Sequence, residues 1–366
     1  MKILVAMSGG VDSSVAAKLL CDAGHTCIGC TMKLYNNEDA GISRTHTCCS
    51  LDDVEDARLV AYRLHMPYHV FNFSDDFREK IIDKFVCSYC RGETPNPCID
   101  CNRYMKFDKL FSRADLLGCS HIATGHYARI DYKDGKYLLK KAADPSKDQS
   151  YVLYSMTQKQ LARTLFPLGE LCKTETRDLA REGGFLNAEK PDSQDICFVP
   201  DGNYAAVIEL HTGKKSSPGN FTDEEGHILG RHAGIIHYTV GQHKGLGISS
   251  PEKLYVLRIN PKENTVVLGP SEHLFSRDVY VRDFHWISGD TPASPVRCKA
   301  KIRYRQQEQP AVATPCDNGA VRIRFDEPQR AVTPGQAAVL YDGDTVLGGG
   351  TIAPAPDTPA GEEGKA

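Results

Sequence analysis

One segment near the start of the chain, Ser8-Gly9-Gly10-Val11-Asp12-Ser13-Ser14, constrains the fold more than any other feature. It follows a continuous apolar run at residues 3–7, which is typical of a buried parallel strand. It opens residues 11–20, where apolar side chains recur at helical spacing. Two glycines allow a tight turn, and the first N–H groups of a helix bind anions. The segment therefore predicts a strand–loop–helix unit that binds phosphate.

This loop differs from the two commonest phosphate loops. No lysine follows its glycines, as one does in a Walker A loop, and the dinucleotide-binding fingerprint is absent. Asp12 would repel phosphate unless a cation lay between them, so we expect Asp12 to act through Mg²⁺ bound to the phosphates. A plain strand–turn–helix with a capping serine is the simpler alternative.

Strand and helix patterns alternate over residues 1–200. This alternation predicts an α/β fold with a doubly wound parallel sheet, in which ligands bind at the carboxyl ends of the strands. Further strands are expected at 25–32, 68–73 and 121–124, and helices at 52–64, 77–85 and 107–117. We assign residues 1–200 to one domain, which carries the phosphate-binding loop.

The rest of the chain has a different pattern, in which helices become rare and short alternating runs predict strands. These strand candidates are residues 255–259, 265–268, 296–304, 321–325 and 337–341. We predict a small central domain at 201–270, a C-terminal β-barrel at 271–352 and a disordered tail at 353–366.

Charge and hydropathy exclude several classes of protein. The chain has 44 Lys plus Arg and 47 Asp plus Glu, a net charge of −3, so any nucleic-acid partner must be met by a local basic surface. No apolar run approaches the roughly 18 residues of a membrane span, and the first apolar run is too short for a signal peptide. We therefore expect a cytoplasmic protein whose 14 cysteines are thiols, metal ligands or redox catalysts.

The loop resembles that of the ATP pyrophosphatases, which activate a carbonyl oxygen by adenylation. Five further segments resemble, in order, those of the bacterial tRNA-specific 2-thiouridylases, and the likeness runs from about residue 1 to residue 352. These segments are Thr94-Pro95-Asn96-Pro97-Cys98-Ile99-Asp100-Cys101-Asn102, Ala123-Thr124-Gly125-His126-Tyr127, Lys147-Asp148-Gln149-Ser150-Tyr151, Asp192-Ser193-Gln194-Asp195-Ile196-Cys197-Phe198 and Gly241-Gln242-His243-Lys244-Gly245-Leu246-Gly247.

This resemblance implies an enzyme that uses ATP and activated sulfur to replace the 2-oxygen of the wobble uridine in tRNAs for Lys, Glu and Gln. It also implies a protein partner that donates the sulfur. The residues expected to bind ATP are Ala6, Met7, Ser8, Gly9, Gly10, Val11, Asp12, Ser13, Met32 and Gly125. Asn96, Pro97 and Cys98 are expected at the target base, and contacts to tRNA are expected from His126, Lys147, Asp148, Gln149, Arg303, Tyr304 and Gln336.

Replacing oxygen by sulfur requires a soft nucleophile that can carry a sulfane sulfur, and a cysteine persulfide does this. Cys101 and Cys197 fit, because each is expected in a loop-like segment with an accessible thiolate. The resemblance assigns Cys197 as the persulfide carrier and Cys101 as the nucleophile or resolving thiol. Two structural thiols are the alternative.

Other cysteines leave further alternatives open. Cys98, Cys101 and Cys197 could hold a [4Fe–4S] cluster with one iron free for sulfide. Cys87, Cys90, Cys98 and Cys101 form a C-x₂-C-x₇-C-x₂-C pattern that could bind zinc, although its spacer is short for a zinc ribbon. Cys48 and Cys49 are a vicinal pair to which the sequence assigns no role.

Five cations alternate with other residues in the predicted strand 296–304 and the residue that follows it. With a period of two they would lie on one face and suit a nucleic-acid backbone, although a solvated strand face is the simpler reading. They are Arg297, Lys299, Lys301, Arg303 and Arg305. Two rival functions remain, a synthetase of small molecules built on the same loop and a non-catalytic RNA-binding or metal-storage protein.

Overall fold

The computed structural model describes residues 1–35, 51–191, 196–199 and 202–354. The pair Cys48-Cys49, residues 192–195 of one predicted motif and residues 355–366 of the predicted tail lie outside these ranges.

The N-terminal part is built on a parallel sheet of five strands in the order β3-β2-β1-β4-β7. The loop of residues 8–10 leaves the central strand β1 and enters helix α1, as predicted. Each strand of this sheet is parallel to its neighbours, and the predicted α/β fold with a doubly wound sheet is confirmed. The strands are β1 (Lys2–Ala6), β2 (Thr26–Lys33), β3 (Tyr68–Asn72), β4 (His121–Ala123) and, numbered after the hairpin described below, β7 (Thr164–Leu165).

Helices cover this sheet, and two of them are longer than predicted because each contains a π-helical stretch. Residues 74–90 and 97–116 are helical throughout, with π turns at Arg78–Ile82 and Cys101–Lys109. The α-helices are α1 (Val11–Asp22), α2 (Leu51–Arg63), α3 (Ser74–Phe77), α4 (Asp83–Cys90), α5 (Pro97–Asp100), α6 (Leu110–Leu116), α7 (Gln158–Leu161) and α8 (Lys173–Glu182).

A hairpin that the sequence did not predict leaves the N-terminal part and joins the C-terminal sheet. Its strands are β5 (Arg129–Lys133) and β6 (Lys136–Lys140). Strand β6 pairs with the last strand of the chain, Lys140 opposite Thr345. The predicted domain limits 1–200, 201–270 and 271–352 stay predictions. The hairpin belongs to the first of these ranges in sequence but pairs with a strand of the third.

The central part contains a four-stranded sheet, in the order β10-β11-β8-β9, and a helix whose buried side chains join the core of the N-terminal part. The core of this sheet is formed by Phe221, Val256, Val266 and Leu268, each at most 1% exposed. The elements are α9 (Tyr204–Thr212), β8 (Gly219–Thr222), β9 (Ile228–His232), β10 (Tyr255–Asn260) and β11 (Thr265–Gly269).

The C-terminal part is a closed barrel of six strands, which confirms the predicted β-barrel. The strand order is β12-β15-β14-β13-β16-β17, and pairing of β12 with β17 closes it. Alternate side chains such as Val279, Ile323 and Leu340 fill its interior. The strands are β12 (Phe275–Trp286), β13 (Val296–Lys301), β14 (Gln309–Pro315), β15 (Val321–Arg330), β16 (Ala337–Asp342) and β17 (Thr345–Ile352). None of the helices described above is both long enough and apolar enough to cross a membrane.

Candidate active site

The phosphate loop is held in shape by its own serines. Gly9 has a φ of +75°, and a side chain there would collide with the carbonyl oxygen of Asp53. The Ser13 hydroxyl accepts from the Ser8 N–H at 3.1 Å and donates to the Gly10 carbonyl at 3.0 Å. No side chain caps the start of α1, so its first N–H groups point to the space where an anion would lie.

The other residues predicted to bind nucleotide lie at the same edge of the sheet. Gly125 follows β4, and a Cβ there would lie 2.7 Å from the Ser13 nitrogen, so only glycine allows this approach to the loop. Ala6 ends β1, and Met32 lies one residue before the end of β2, where it is 9% exposed. Carboxyl ends of adjacent parallel strands therefore surround the loop, which is where this fold binds ligands.

Asp12, the predicted magnesium residue, has two hydrogen-bond partners in this structure. Lys173 Nζ donates to Asp12 Oδ1 at 2.6 Å, and the Tyr127 hydroxyl donates to the same oxygen at 2.9 Å. Gln149 makes two hydrogen bonds to the backbone of Tyr127. Its side-chain oxygen accepts from the Tyr127 N–H, and its backbone N–H donates to the Tyr127 carbonyl. A segment predicted to contact tRNA is thus linked to the phosphate loop through a single tyrosine.

Two of the predicted base-binding residues, Asn96 and Pro97, line a pocket of about 270 Å³. Asn96 caps α5, accepting from the Cys98 N–H at 3.2 Å, and Cys98 is exposed. Residues from all three parts of the chain line this pocket, which places the predicted base site at their junction. They are Tyr89, Thr94, Pro95, Asn96, Pro97, Ile196, Tyr204, Thr239 and Gln336.

Cys101 lies in a helix, so the predicted loop is wrong, although the residue is half-exposed. Pro97 occupies the first turn of α5, where the missing N–H costs nothing, and the chain stays helical past Cys101. Burial raises the pKa of the Cys101 thiol to about 11, opposed by the positive charge of Lys106. The thiol is therefore mainly protonated near neutral pH.

Lys106 is held by a buried histidine. Its Nζ lies 3.3 Å from His126 Nε2, and His126 Nδ1 lies 2.7 Å from Thr124 Oγ1. An ammonium group only donates, so Nε2 accepts and the ring proton resides on Nδ1. Burial among Phe107 and Phe166 keeps the pKa of His126 well below its ordinary value. With 7% exposure, the His126 ring faces the protein, and its predicted contact with tRNA stays a prediction.

Replacing Lys106 by methionine is expected to make Cys101 less reactive. The lysine charge favours the thiolate, so its loss raises the pKa of Cys101 and lowers the thiolate fraction at a given pH. Alkylation of Cys101 by iodoacetamide at pH 8 should slow by up to about tenfold, the effect of one pKa unit. Mass spectrometry of the Cys101 peptide over a pH series measures this.

Lys109→Met is the matched control, because Lys109 lies on the same π-helical stretch but pairs with Asp76 at 2.5 Å. Its alkylation profile should equal that of the unmodified protein. Equal profiles for the Lys106 and Lys109 variants would show that Lys106 does not tune this thiol.

Cys197 is half-exposed and anchored by its neighbours. Its carbonyl oxygen accepts from the Tyr35 hydroxyl at 2.6 Å. The next residue, Phe198, is 1% exposed and packs edge-to-face on Phe77 and Phe85. The backbone at Cys197 is therefore held without the thiol.

The other predicted tRNA residues are mostly engaged in the fold. Asp148 accepts from the N–H groups of Ala142 and Ser150. Arg303 is half-buried and donates to the carbonyls of Arg330 and Ala331. Exposed Tyr304 and half-buried Gln336 reach residues of the catalytic part, the carbonyls of Asp148 and Thr94 respectively. Lys147, in a turn beside Asp148, is half-exposed. Their contacts with tRNA stay predictions.

The predicted face of five cations is wrong. Strand β13 ends at Lys301, so Arg303 and Arg305 lie beyond it. Acidic partners neutralise the outer part, since Arg297 pairs with Asp326 and Lys299 lies 3.7 Å from Glu308. Asp326 was missed because cross-strand partners cannot be read from the sequence of β13 alone.

The four thiols of the C-x₂-C-x₇-C-x₂-C pattern are not gathered for zinc. Two sulfurs bound to one zinc ion lie at most about 4.6 Å apart. Within the described ranges, the single group of three or more metal-binding side chains that lie within 4.8 Å of one another is Asp223, Glu225 and His227 on a turn of the central sheet.

Sequence reasoning missed three charged residues beside these sites, Lys106, Lys173 and Glu93. Lys173 carried a usable signal, because a lysine in the first turn of a helix opposes the helix dipole and implies a nearby anion, here Asp12. Glu93 is 5% exposed and pairs with Arg282 of the barrel. This contact could not be predicted from the sequence around either residue.

A parallel α/β sheet with this loop at its carboxyl edge defines an ATP-binding enzyme of the ATP pyrophosphatase class. Family models match the chain in three consecutive ranges. Residues 1–201 match a model described as tRNA methyl transferase HUP domain, residues 206–270 the tRNA methyl transferase PRC-barrel domain, and residues 276–352 the aminomethyltransferase beta-barrel domain.

Relatives of similar length narrow the class. The tRNA-specific 2-thiouridylase MnmA of Clostridioides difficile strain 630 is 48% identical over 353 residues, which cover 96% of this chain and 98% of the relative. The MnmA of Acetivibrio thermocellus is 51% identical over 354 residues, covering 96% and 99%. The chain belongs to the tRNA-specific 2-thiouridylase family, and it is a tRNA-modifying sulfurtransferase.

One solved structure is similar in part. The U34-tRNA thiolase NcsA from Methanococcus maripaludis, with its [4Fe-4S] cluster, matches 58% of this chain and 70% of its own at 18% identity and a TM-score of 0.35. That similarity is too distant to bear on how sulfur is carried here.

Proposed function

We propose that this protein is a cytoplasmic enzyme that converts the wobble uridine of tRNAs for Lys, Glu and Gln to 2-thiouridine. The observation that supports it most is a shared core. Cys101 and Cys197 both pack against the buried cluster that contains Met32 and Ile99. One buried core therefore contacts the predicted adenine-binding residue, the helix predicted to bind the base and both cysteines predicted to carry sulfur.

The nucleotide is proposed to lie on the loop at the edge of the parallel sheet. Residues 6–13, Met32 and Gly125 would hold ATP, with its phosphates at the N–H groups that open α1. Asp12, in the first turn of α1, would hold Mg²⁺, which neutralises charge on the phosphates. The clustering of Asp12, Lys173 and the bare helix N-terminus suits an anion bound together with a cation.

The first reaction is adenylation of the target base. The uracil 2-oxygen attacks the α-phosphorus of ATP, a new O–P bond forms, and the bond to the β-phosphate breaks to release pyrophosphate. Asn96, Pro97 and Cys98 are proposed to hold the base in the pocket that they line or adjoin. Adenylation makes the 2-oxygen a good leaving group as part of AMP.

Sulfur then replaces that oxygen. The terminal sulfur of a Cys197 persulfide attacks C2 of the uracil, and AMP leaves with the former 2-oxygen. The Cys101 thiolate attacks Sγ of Cys197, so a Cys101–Cys197 disulfide forms, the persulfide bond breaks and the sulfur stays on C2. A thiol reductant restores the two cysteines, and a donor protein reloads Cys197 with sulfane sulfur.

The remaining tRNA contacts are proposed for His126, residues 147–149, Arg303, Tyr304 and Gln336. Tyr304 supports this most directly, since its ring is 39% exposed on the side of the barrel that faces residue 148.

A second way of carrying sulfur, on an iron–sulfur cluster, is supported by the thiols of Cys98, Cys101 and Cys197. Cys98 is exposed and Cys101 and Cys197 are half-exposed, a donor set that suits a [4Fe–4S] cluster able to supply sulfide at one iron. The persulfide route needs only two of these thiols and remains our proposal.

The variant Cys98→Ala tests whether sulfur is carried as a persulfide or on a cluster, and the same assay tests the proposed function. Purified anaerobically and given tRNA, ATP, Mg²⁺ and a persulfide donor, the unmodified enzyme should form 2-thiouridine at position 34, read by mass spectrometry of tRNA digests. The variant should keep a tenth or more of this activity, a penalty under about 1.4 kcal/mol. If the unmodified enzyme contains stoichiometric iron and the variant loses both this iron and the activity, the persulfide route is overturned. If the unmodified enzyme itself forms no 2-thiouridine, the proposed function is overturned.

A further inference from the structure

The loop that leads into the base-binding residues is held from outside its own domain. The Thr94 N–H donates to the Pro334 carbonyl at 2.8 Å, and Gln336 Nε2 donates to the Thr94 carbonyl at 2.7 Å. Both partners belong to the corner of the barrel that precedes β16. The Thr94 hydroxyl lies 3.2 Å from that of Thr239 in the central part.

The approach of this corner to the loop requires a glycine. Gly335 has a φ of +91°, and a Cβ on it would lie 2.8 Å from the Thr94 nitrogen and 2.9 Å from the Glu93 Cβ. The same corner binds a second segment, since the Tyr151 hydroxyl donates to the Ala337 carbonyl at 2.8 Å. Residues 334–337 therefore contact both the base-binding loop and the segment that includes residues 147–149.

A buried ion pair closes this junction. Arg282 Nη2 donates to Glu93 Oε1 at 2.8 Å and Oε2 at 3.0 Å, and Arg91 Nη2 donates to Oε2 at 3.1 Å. The Glu93 side chain is 6% exposed while that of Arg282 is 39% exposed. A carboxylate that is this buried needs its positively charged partners, because an unpaired buried charge strongly destabilises the folded protein.

We propose that Glu93, Arg282 and the corner 334–337 are positioning residues for the base: the barrel sets the conformation of residues 94–98 rather than serving only as a separate tRNA-binding unit. The inference rests on the proposed function, because it concerns the step in which the base meets ATP. None of these groups needs to touch the reacting atoms. They fix the backbone from which Asn96 and Cys98 project.

The test is the double variant Glu93→Gln/Arg282→Met, which removes both charges of this pair and leaves Arg91, whose side chain is 55% exposed, in contact with solvent. We expect kcat for 2-thiouridine formation to fall at least tenfold, and pyrophosphate release to fall with it. The Kd values for ATP, by calorimetry, and for tRNA, by filter binding, should stay within threefold. A purely structural role would lower the melting temperature and leave kcat unchanged at temperatures where the variant is folded.

The matched control is Arg129→Met/Asp344→Asn, a second ion pair between the catalytic part and the barrel, 3.1 Å long, neither member of which lines the base pocket. Its kcat should stay within twofold of the unmodified enzyme. Equal kcat values for the two double variants would overturn the proposal.

Gly335→Ala keeps the proposal testable if the first double variant fails to fold. Its Cβ pushes on the Thr94 nitrogen, and it should lower kcat at least fivefold with the tRNA Kd within threefold. An unmodified enzyme without activity would reject the proposed function itself, whereas an active enzyme and unchanged Gly335→Ala kinetics would reject only this inference.

Discussion

Replacement of Asp12 by alanine is expected to abolish adenylation while tRNA binding stays within about threefold. Asp12 lies in the first turn of α1 beside the phosphate loop, and its carboxylate is proposed to act through Mg²⁺. Metal stabilisation of phosphoryl transfer contributes several kcal/mol, so a loss of about 4 kcal/mol would lower the rate by roughly a thousandfold. The measurement is tRNA-dependent exchange of labelled pyrophosphate into ATP, together with filter binding of tRNA.

Two further variants separate chemistry from folding in this experiment. Asp12→Asn keeps an oxygen that can accept from Lys173 and Tyr127, so it should fold normally and remain inactive. Asp22→Ala removes a carboxylate at the far end of the same helix, where it pairs with Lys18 at 2.5 Å, and should be fully active. Exchange at the normal rate in Asp12→Asn and Asp12→Ala would remove Asp12 from the mechanism.

Cys197→Ser is expected to stop 2-thiouridine formation, by more than about a hundredfold, while adenylation continues. Serine cannot carry sulfane sulfur, yet it has nearly the same size. The backbone should not move, because the Tyr35 hydroxyl binds the Cys197 carbonyl and Phe198 is buried. We therefore expect pyrophosphate exchange near the normal rate and adenylated tRNA that accumulates without becoming thiolated.

The measurement is mass spectrometry of tRNA after a single turnover with an enzyme preloaded with sulfur. Cys316→Ser is the control, because Cys316 is exposed on the barrel and belongs to none of the proposed sites. Thiolation above a tenth of the normal yield in Cys197→Ser would mean that another group carries the sulfur.

The sequence predicted the phosphate loop and the parallel sheet because their signals are local. An apolar run, two glycines and a helical period lie within the first 20 residues. Strand β12 was missed for the opposite reason, since Arg277, Asp278, Arg282 and Asp283 interrupt its alternation. These charges are tolerated because their partners lie elsewhere, such as Arg322 for Asp278 and Glu93 for Arg282.

Two misreadings near the site have equally specific causes. Polar neighbours suggested a loop around Cys101, but Pro97 begins a helix that continues through a π-helical stretch. Five cations were expected on one strand face, but β13 ends at Lys301, and Asp326 lies next to Arg297 only in the folded barrel. The roles of individual cysteines came from the family resemblance, since their spacing alone allowed persulfide, cluster and zinc readings alike.

The hairpin β5–β6 has a mechanical consequence. Strand β6 continues the barrel sheet, and the next residue, Lys141, donates its N–H to the Asp344 carbonyl at 2.9 Å. Rotation of the catalytic part against the barrel would break main-chain hydrogen bonds at this junction, so the hairpin restrains the distance between the phosphate loop and the barrel. We therefore expect that, in the proposed reaction, most of the change in shape on binding occurs in the tRNA.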